Sequence, residues 1–238
     1  MEIEDGFIVG VYNYCDRWCD ACPLTSRCRL FADVAEMEAS LDPSLKPVAD
    51  APPLPQDIPP PPPQWMQELL HEINEAAREP MSEEEWERLK PRIAPEHEPI
   101  ETRARDYCTR AHAWLSARQA HAHSDPGDPC AIIGWFHSLI RSKVHRALVG
   151  LAEGWEHDAP PDHDGSAKVA LIGIDRSYEA CLVAIECKLA SAAEITPLLD
   201  DLEWLRAQLE RVFPRARAFV RPAFDEPDEV ARLIAAER

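Results

Sequence analysis

Four cysteines, Cys15, Cys19, Cys22 and Cys28, fall in the stretch YCDRWCDACPLTSRCRLF with the spacing C-x3-C-x2-C-x5-C. Thiolates are soft ligands, so four this close point to one metal centre holding zinc or an iron–sulfur cluster rather than magnesium or calcium. Structural zinc usually takes two Cys-x2-4-Cys knuckles across a longer spacer. Here the ligands are contiguous, with one tight Cys-x2-Cys and no spacer. A single loop wrapped around a cuboidal 4Fe–4S cluster fits that spacing better, with zinc as the alternative. Pro23 fixes φ directly after Cys22 and suits a rigid loop. Arg17, Arg27 and Arg29 interleave with the ligands, either offsetting thiolate charge and donating hydrogen bonds to sulfur or forming a solvated loop surface.

The segment Cys19-Asp-Ala-Cys22-Pro-Leu-Thr-Ser-Arg-Cys28 resembles the cluster loop of the endonuclease III and adenine-glycosylase family of DNA repair enzymes. In that family a C-x6-C-x2-C-x5-C loop, often with Pro-Leu after the third cysteine, holds a 4Fe–4S cluster. The last three cysteines, Pro23 and Leu24 match, while Cys15 precedes Cys19 by three residues instead of six. The resemblance covers about fifteen residues. It implies a cluster on Cys15, Cys19, Cys22 and Cys28, but not glycosylase activity, because no counterpart of the family's helix-hairpin-helix segment is present. C-x3-C-x2-C is also similar to the motif of radical S-adenosylmethionine enzymes. There one iron stays open, whereas Cys28 would close it, and the repeated strand–helix pattern of a barrel is missing.

The elements that must carry this loop read as all-α. A segment Gly6–Tyr12 leads into it as a short extended piece, and Arg29 to Leu41 leaves it as a helix with Leu30, Phe31, Val34 and Met37 on one face. Residues 1–42 thus form a small cysteine-rich metal-binding module whose folding free energy comes largely from the metal. Residues 43–63 hold ten of the 23 prolines and read as an extended polyproline linker. Residues 64–238 read as a helical bundle domain. Its first helix carries Trp65, Leu69, Ile73 and Ala76, and a second opens on a Ser82–Glu85 capping box. About four long helices follow near 99–123, 129–154, 165–191 and 195–212, separated by Pro/Gly/Asp breaks.

Several polar residues lie on or beside the apolar faces of these helices. His137 shares a face with Ile133, Ile140, Val144 and Leu151. Asp175, Glu179 and Glu186 form an acidic stripe beside Leu171, Ile174, Tyr178, Leu182, Ile185 and Leu189. Inward carboxylates and histidines build bundle di-metal sites, so His137, Asp175, Glu179 and Glu186 are a candidate second metal site. The plainer expectation pairs the stripe with Arg141, Lys143 and Arg146 in salt bridges. Arg105 followed by His112 resembles the Arg-x4-6-His motif of HEPN ribonucleases. Cys130, Cys181 and Cys187 read as buried apolar residues.

The net charge of −18 and pI ≈ 4.8 disfavour nonspecific nucleic-acid binding without forbidding a local basic groove. No apolar run approaches the roughly 20 residues of a membrane span, and the N-terminus lacks the pattern of a signal peptide. The expectation is a cytoplasmic 4Fe–4S helical-bundle protein with a redox, electron-transfer or sensing role through a protein partner. The alternatives are a zinc- or cluster-stabilised interaction module without catalysis, and a bundle di-metal oxidase or HEPN-like ribonuclease.

Overall fold

The computed structural model describes residues 2–41, 82, 84–86, 92–118, 127–154, 162–226 and 228, and most of these are helical. Helix α1 spans Arg29–Leu41, α2 Glu98–Ala117, α3 Pro129–Ala152, α4 Asp162–Glu186 and α5 Ala192–Val212. The starts of α3 and α5 follow from side-chain capping. The Asp128 carboxylate accepts from the Cys130 N–H at 2.9 Å with Pro129 in the first turn of α3, satisfying a donor that lacks a helical partner. Ser191 and Glu194 form a reciprocal capping box on α5. That cap starts α5 ahead of the expected residue 195 and leaves Pro197 inside the helix.

Residues Met1–Ala35 and Arg92–Arg238 form one compact unit, and Glu36–Pro91 forms another. In the second unit, Ser82 and Glu85 make the expected capping box, with Glu85 N–H donating to Ser82 Oγ at 3.2 Å and Ser82 N–H to Glu85 Oε2 at 3.2 Å. The linker 43–63 and the helix expected from Gln64 lie outside the described residues.

In the first unit the four long helices pack in a ring, α2 on α3, α3 on α4, α4 on α5 and α5 on α2. Ile100, Tyr107, Ile133, Phe136, Ile140, Leu171, Ile174 and Leu202 are buried at the centre. The buried carboxylate of Asp201 on α5 accepts from Arg103 at 3.0 Å and Arg110 at 2.7 Å, tying α5 to α2. The face of α4 differs from the stripe of large residues expected for it. Leu182 and Leu189 are exposed, while Ala167, Ala170, Ser177, Cys181 and Ala184 are buried. Small residues let α3 approach closely, and a Cβ on Gly173 would lie 3.0 Å from Ile140 Cγ1.

The N-terminal segment is folded against this assembly. Strands β1 (Ile3–Glu4) and β2 (Phe7–Ile8) form an antiparallel hairpin with Ile3 opposite Ile8. Asp5 and Gly6 turn it with φ of 49° and 82°, the two positive values that an Asp-Gly type I′ turn requires. The expected extended segment is therefore a hairpin. Tyr14 then lies on the first turns of α4 at Gly165. A Cβ there would meet Tyr14 Cε1 at 2.3 Å and Phe219 Cζ at 2.7 Å.

Gly165→Ala should therefore destabilise the protein by about 1–3 kcal/mol. Gly134→Ala, whose Cβ would meet only Leu115 Cδ1 at 3.7 Å, should be neutral or stabilising by up to about 1 kcal/mol. Urea unfolding midpoints of the two variants, measured side by side, check the contrast.

Candidate metal centre

The cysteine loop is built from short turns. A 3-10 turn at Val11–Asn13 precedes Cys15, and Arg17 takes the left-handed region at φ 58° to redirect the chain. Further 3-10 turns at Cys19–Ala21 and Thr25–Arg27 bring Cys19, Cys22 and Cys28 back toward Cys15. The Cys28 carbonyl then accepts from the Ala32 N–H at 3.1 Å, joining the loop to α1. Two backbone N–H groups point at sulfur: that of Leu24 at Cys22 Sγ, at 3.4 Å, and that of Arg17 at Cys15. Each comes from the residue two positions after its cysteine, and such donors favour the thiolate form.

All four cysteines line one narrow cavity, walled by Val11, Trp18, Leu24, Phe31 and Phe224. Cys19 is exposed and the other three are half-buried. Burial raises the thiols of Cys15, Cys19 and Cys22, and at Cys19 the other three cysteines add to the shift. These groups therefore stay protonated at neutral pH until a cation displaces their protons. Among the described residues, no three His, Cys, Asp or Glu side chains are grouped to hold a metal ion as they stand. The donor set, the apolar wall and the N–H groups aimed at sulfur fit a thiolate-bound centre.

Six contacts dock the loop on α3 and α4. Lys143 Nζ donates to the Asn13 carbonyl at 2.7 Å, Tyr14 Oη to Asp162 at 3.1 Å, and Trp135 Nε1 to the Asp16 carbonyl at 2.8 Å. Arg176 pairs with Asp16 at 3.0 Å. Trp18 is buried in the helical core, stacked on Trp135 at 5.4 Å and edge-on to Phe136.

The C-terminal segment 213–226 closes the site, a role the sequence reading missed. Its Phe224 reaches the cysteine cavity, and Ala223, at φ 64°, is buried with Ile8, Val11 and Leu24. Lys168 on α4 holds the segment through the Phe219 carbonyl and, at 2.7 Å, through Asp225. Burial alone would raise the Asp225 carboxyl, but hydrogen bonds from Arg221 and Lys168 outweigh it and hold the group well below the carboxylate range. The sequence signal was the apolar run Ala216–Phe224, interrupted by arginines and a proline.

The candidate second site is not assembled. Asp175 pairs with Arg206 at 3.0 Å and with Arg217. Glu179 and Glu186 are exposed. His137 stacks at 6.0 Å on His112, and its Nδ1 lies 2.7 Å from the Gly134 carbonyl. The expected ion-pair partners also differ: Lys143 holds the cysteine loop, and Arg146 pairs with Asp162 at 2.9 Å. Asp175 faces α5 and the segment after it, whose arginines Arg206 and Arg217 reach it first. Arg105 and His112 are both exposed, Arg105 contacting Thr102. Cys181 is buried as expected, but Cys130 is only half-buried and Cys187 is exposed beyond the end of α4.

No protein-family model matches the chain, and no characterised protein or solved structure is detectably similar to it. Among the described residues, no helix is long and apolar enough to cross a membrane.

Phe224→Ala should open the cavity wall, speeding removal of bound metal by a chelator several-fold while leaving the helical circular dichroism unchanged. Asp225→Asn tests the hold on that wall. Because the folded carboxyl titrates below its unfolded value, its stabilising contribution is full above about pH 4 and lost as pH falls through the depressed folded value. The stability gap between wild type and Asp225→Asn should therefore be largest near neutrality and shrink on acidification below about pH 4, as read by urea titrations at each pH.

Proposed function

We propose that the chain is a cytoplasmic iron–sulfur protein in which Cys15, Cys19, Cys22 and Cys28 hold a 4Fe–4S cluster on a four-helix bundle. Its role is redox, electron transfer or sensing, exerted through a protein partner. The observation that carries this reading is that all four thiols line one cavity walled by apolar side chains. Eight free cysteines are present, and Cys108, Cys130, Cys181 and Cys187 do not line this cavity.

The contiguous spacing C-x3-C-x2-C-x5-C, with no spacer between paired knuckles, is what favours a cluster over a single zinc. Such a cluster supplies one-electron chemistry at a potential set by charge, hydrogen bonds to sulfur and exposure. The chain's contribution is the Leu24 and Arg17 N–H groups at sulfur, the apolar wall, and one exposed ligand, Cys19, at which a partner can approach.

Anaerobic purification with a visible spectrum and joint assay of iron, sulfide and zinc tests the proposal. The expected protein is brown, with about four irons and four sulfides per chain and a broad band that dithionite bleaches. Serine at any of the four positions should lower iron content, whereas serine at Cys108, Cys130, Cys181 or Cys187 should not. A colourless protein carrying one zinc would sink the cluster and leave a zinc-stabilised interaction module.

A further inference from the structure

Next to the cysteine loop, on the α3 side, lies an open groove of about 700 Å³, within the range of small-molecule sites. Its lining gathers Arg17 from the loop with Trp135, Ser138, Ser142, Lys143 and Arg146 from α3. Such a concentration of cations is unexpected on a chain of net charge −18. Elsewhere arginines are drawn to carboxylates, as at Asp201 and Asp175.

Lys143 is the informative member. It is buried, 7% exposed, and its ammonium has three N–H groups to satisfy. One goes to the Asn13 carbonyl at 2.7 Å, and no carboxylate pairs with it among the described residues. Burial lowers its pKa, and the nearby Arg17 and Arg146 push the same way, against a smaller opposing pull from Cys15 and Asp162. A buried cation among other cations is costly unless an anion offsets it. Two carboxylates stand near the groove and both are taken. Asp16 on its lining is held by Arg176 at 3.0 Å, and Asp162 pairs with Arg146 at 2.9 Å. Asp16 stays on the lining, the Trp135 N–H is spent on the Asp16 carbonyl and the Ser142 hydroxyl on the Ser138 carbonyl, so the donors the groove offers are the Arg17 guanidinium and the Lys143 N–H groups not taken by Asn13.

We propose that this groove binds a small phosphate-bearing ligand of the nucleoside monophosphate class, with the phosphate on Arg17 and Lys143 and the planar ring along Trp135. Phosphate suits a cluster of point-charge and guanidinium donors, and an aromatic wall adds stacking. The site is separate from the four cysteines but shares Asp16 and Arg17 with their loop, so ligand and metal centre are neighbours. The rival role for Lys143 is as a counter-charge to the thiolates, since Cys15 lies within its electrostatic reach.

Calorimetric titration of the full-length, metal-loaded protein with adenosine 5′-monophosphate separates the two. One molecule should bind per chain and be displaced by inorganic phosphate. Lys143→Met and Arg17→Ser should each weaken binding at least tenfold. Arg17 is exposed, so its variant decides the question should Lys143→Met fail to fold. Absence of binding by both probes at millimolar concentration overturns the proposal. So does unchanged affinity in Arg17→Ser, or a Lys143→Met protein that loses metal but keeps its affinity for the nucleotide. A wild-type protein with zinc or without metal that still binds the nucleotide leaves this site standing while the cluster reading falls.

Discussion

Burial of Trp18 in the helical core holds the cysteine region in place. The hairpin and its turns bury only Ile8, Val11 and Leu24 of their own, with Ala223 supplied from the far end of the chain. A unit of that size cannot offset the entropy of ordering its backbone. Trp18 lies one residue from Cys19 and stacks on Trp135, whose indole N–H in turn fixes the Asp16 carbonyl. Removing an indole from water contributes roughly 2–3 kcal/mol or more, and it does so at the residue between the first two cysteines. The helices thus provide the core that the loop lacks, and the loop does not depend on a metal alone for its order, contrary to the expectation that metal supplies most of its folding free energy.

That docking imposes conditions on distant positions. The Tyr14 ring requires Gly165 on α4, where any Cβ would overlap it. The same ring stacks on Phe219 at 4.8 Å, so the segment after α5 is held against the loop as well. Lys168 then fixes that segment through Phe219 and Asp225, and Phe224 completes the cysteine wall. Residues separated by about two hundred positions therefore share one small cavity.

The parts legible in the sequence were those governed by local rules. Helix periodicity placed α2 to α5 within a few residues, and the Ser82–Glu85 capping box was legible because a cap needs only near neighbours. The Ser191 capping box follows the same rule, and it starts α5 four residues ahead of the expected 195 when the cap is counted. The α4 face was misread because large apolar residues were weighted, whereas a close helix pair buries Ala, Gly and Ser and leaves Leu182 and Leu189 outside. The acidic stripe was read as a metal site or as partner to α3 because its true partners, Arg206 and Arg217, come from segments whose position no local pattern encodes. Phe224 at the cysteine cavity is the same kind of long-range fact.

Charge ties these observations together. The loop is surrounded by cations from four parts of the chain: Arg17 within it, Lys143 and Arg146 on α3, Arg176 on α4, and Arg221 after α5. Three of the five are taken up by carboxylates, Arg146 by Asp162, Arg176 by Asp16 and Arg221 by Asp225, and those pairs act as mechanical ties. Lys143 and Arg17 are left to balance charge, either that of thiolates or that of a bound anion. Lys143 sits between the two sites, its ammonium on the Asn13 carbonyl and its surroundings shared with Cys15 and the groove. A change in charge at Cys15 would therefore alter the field in the groove through the same Lys143, which links the cysteine loop to the groove electrostatically.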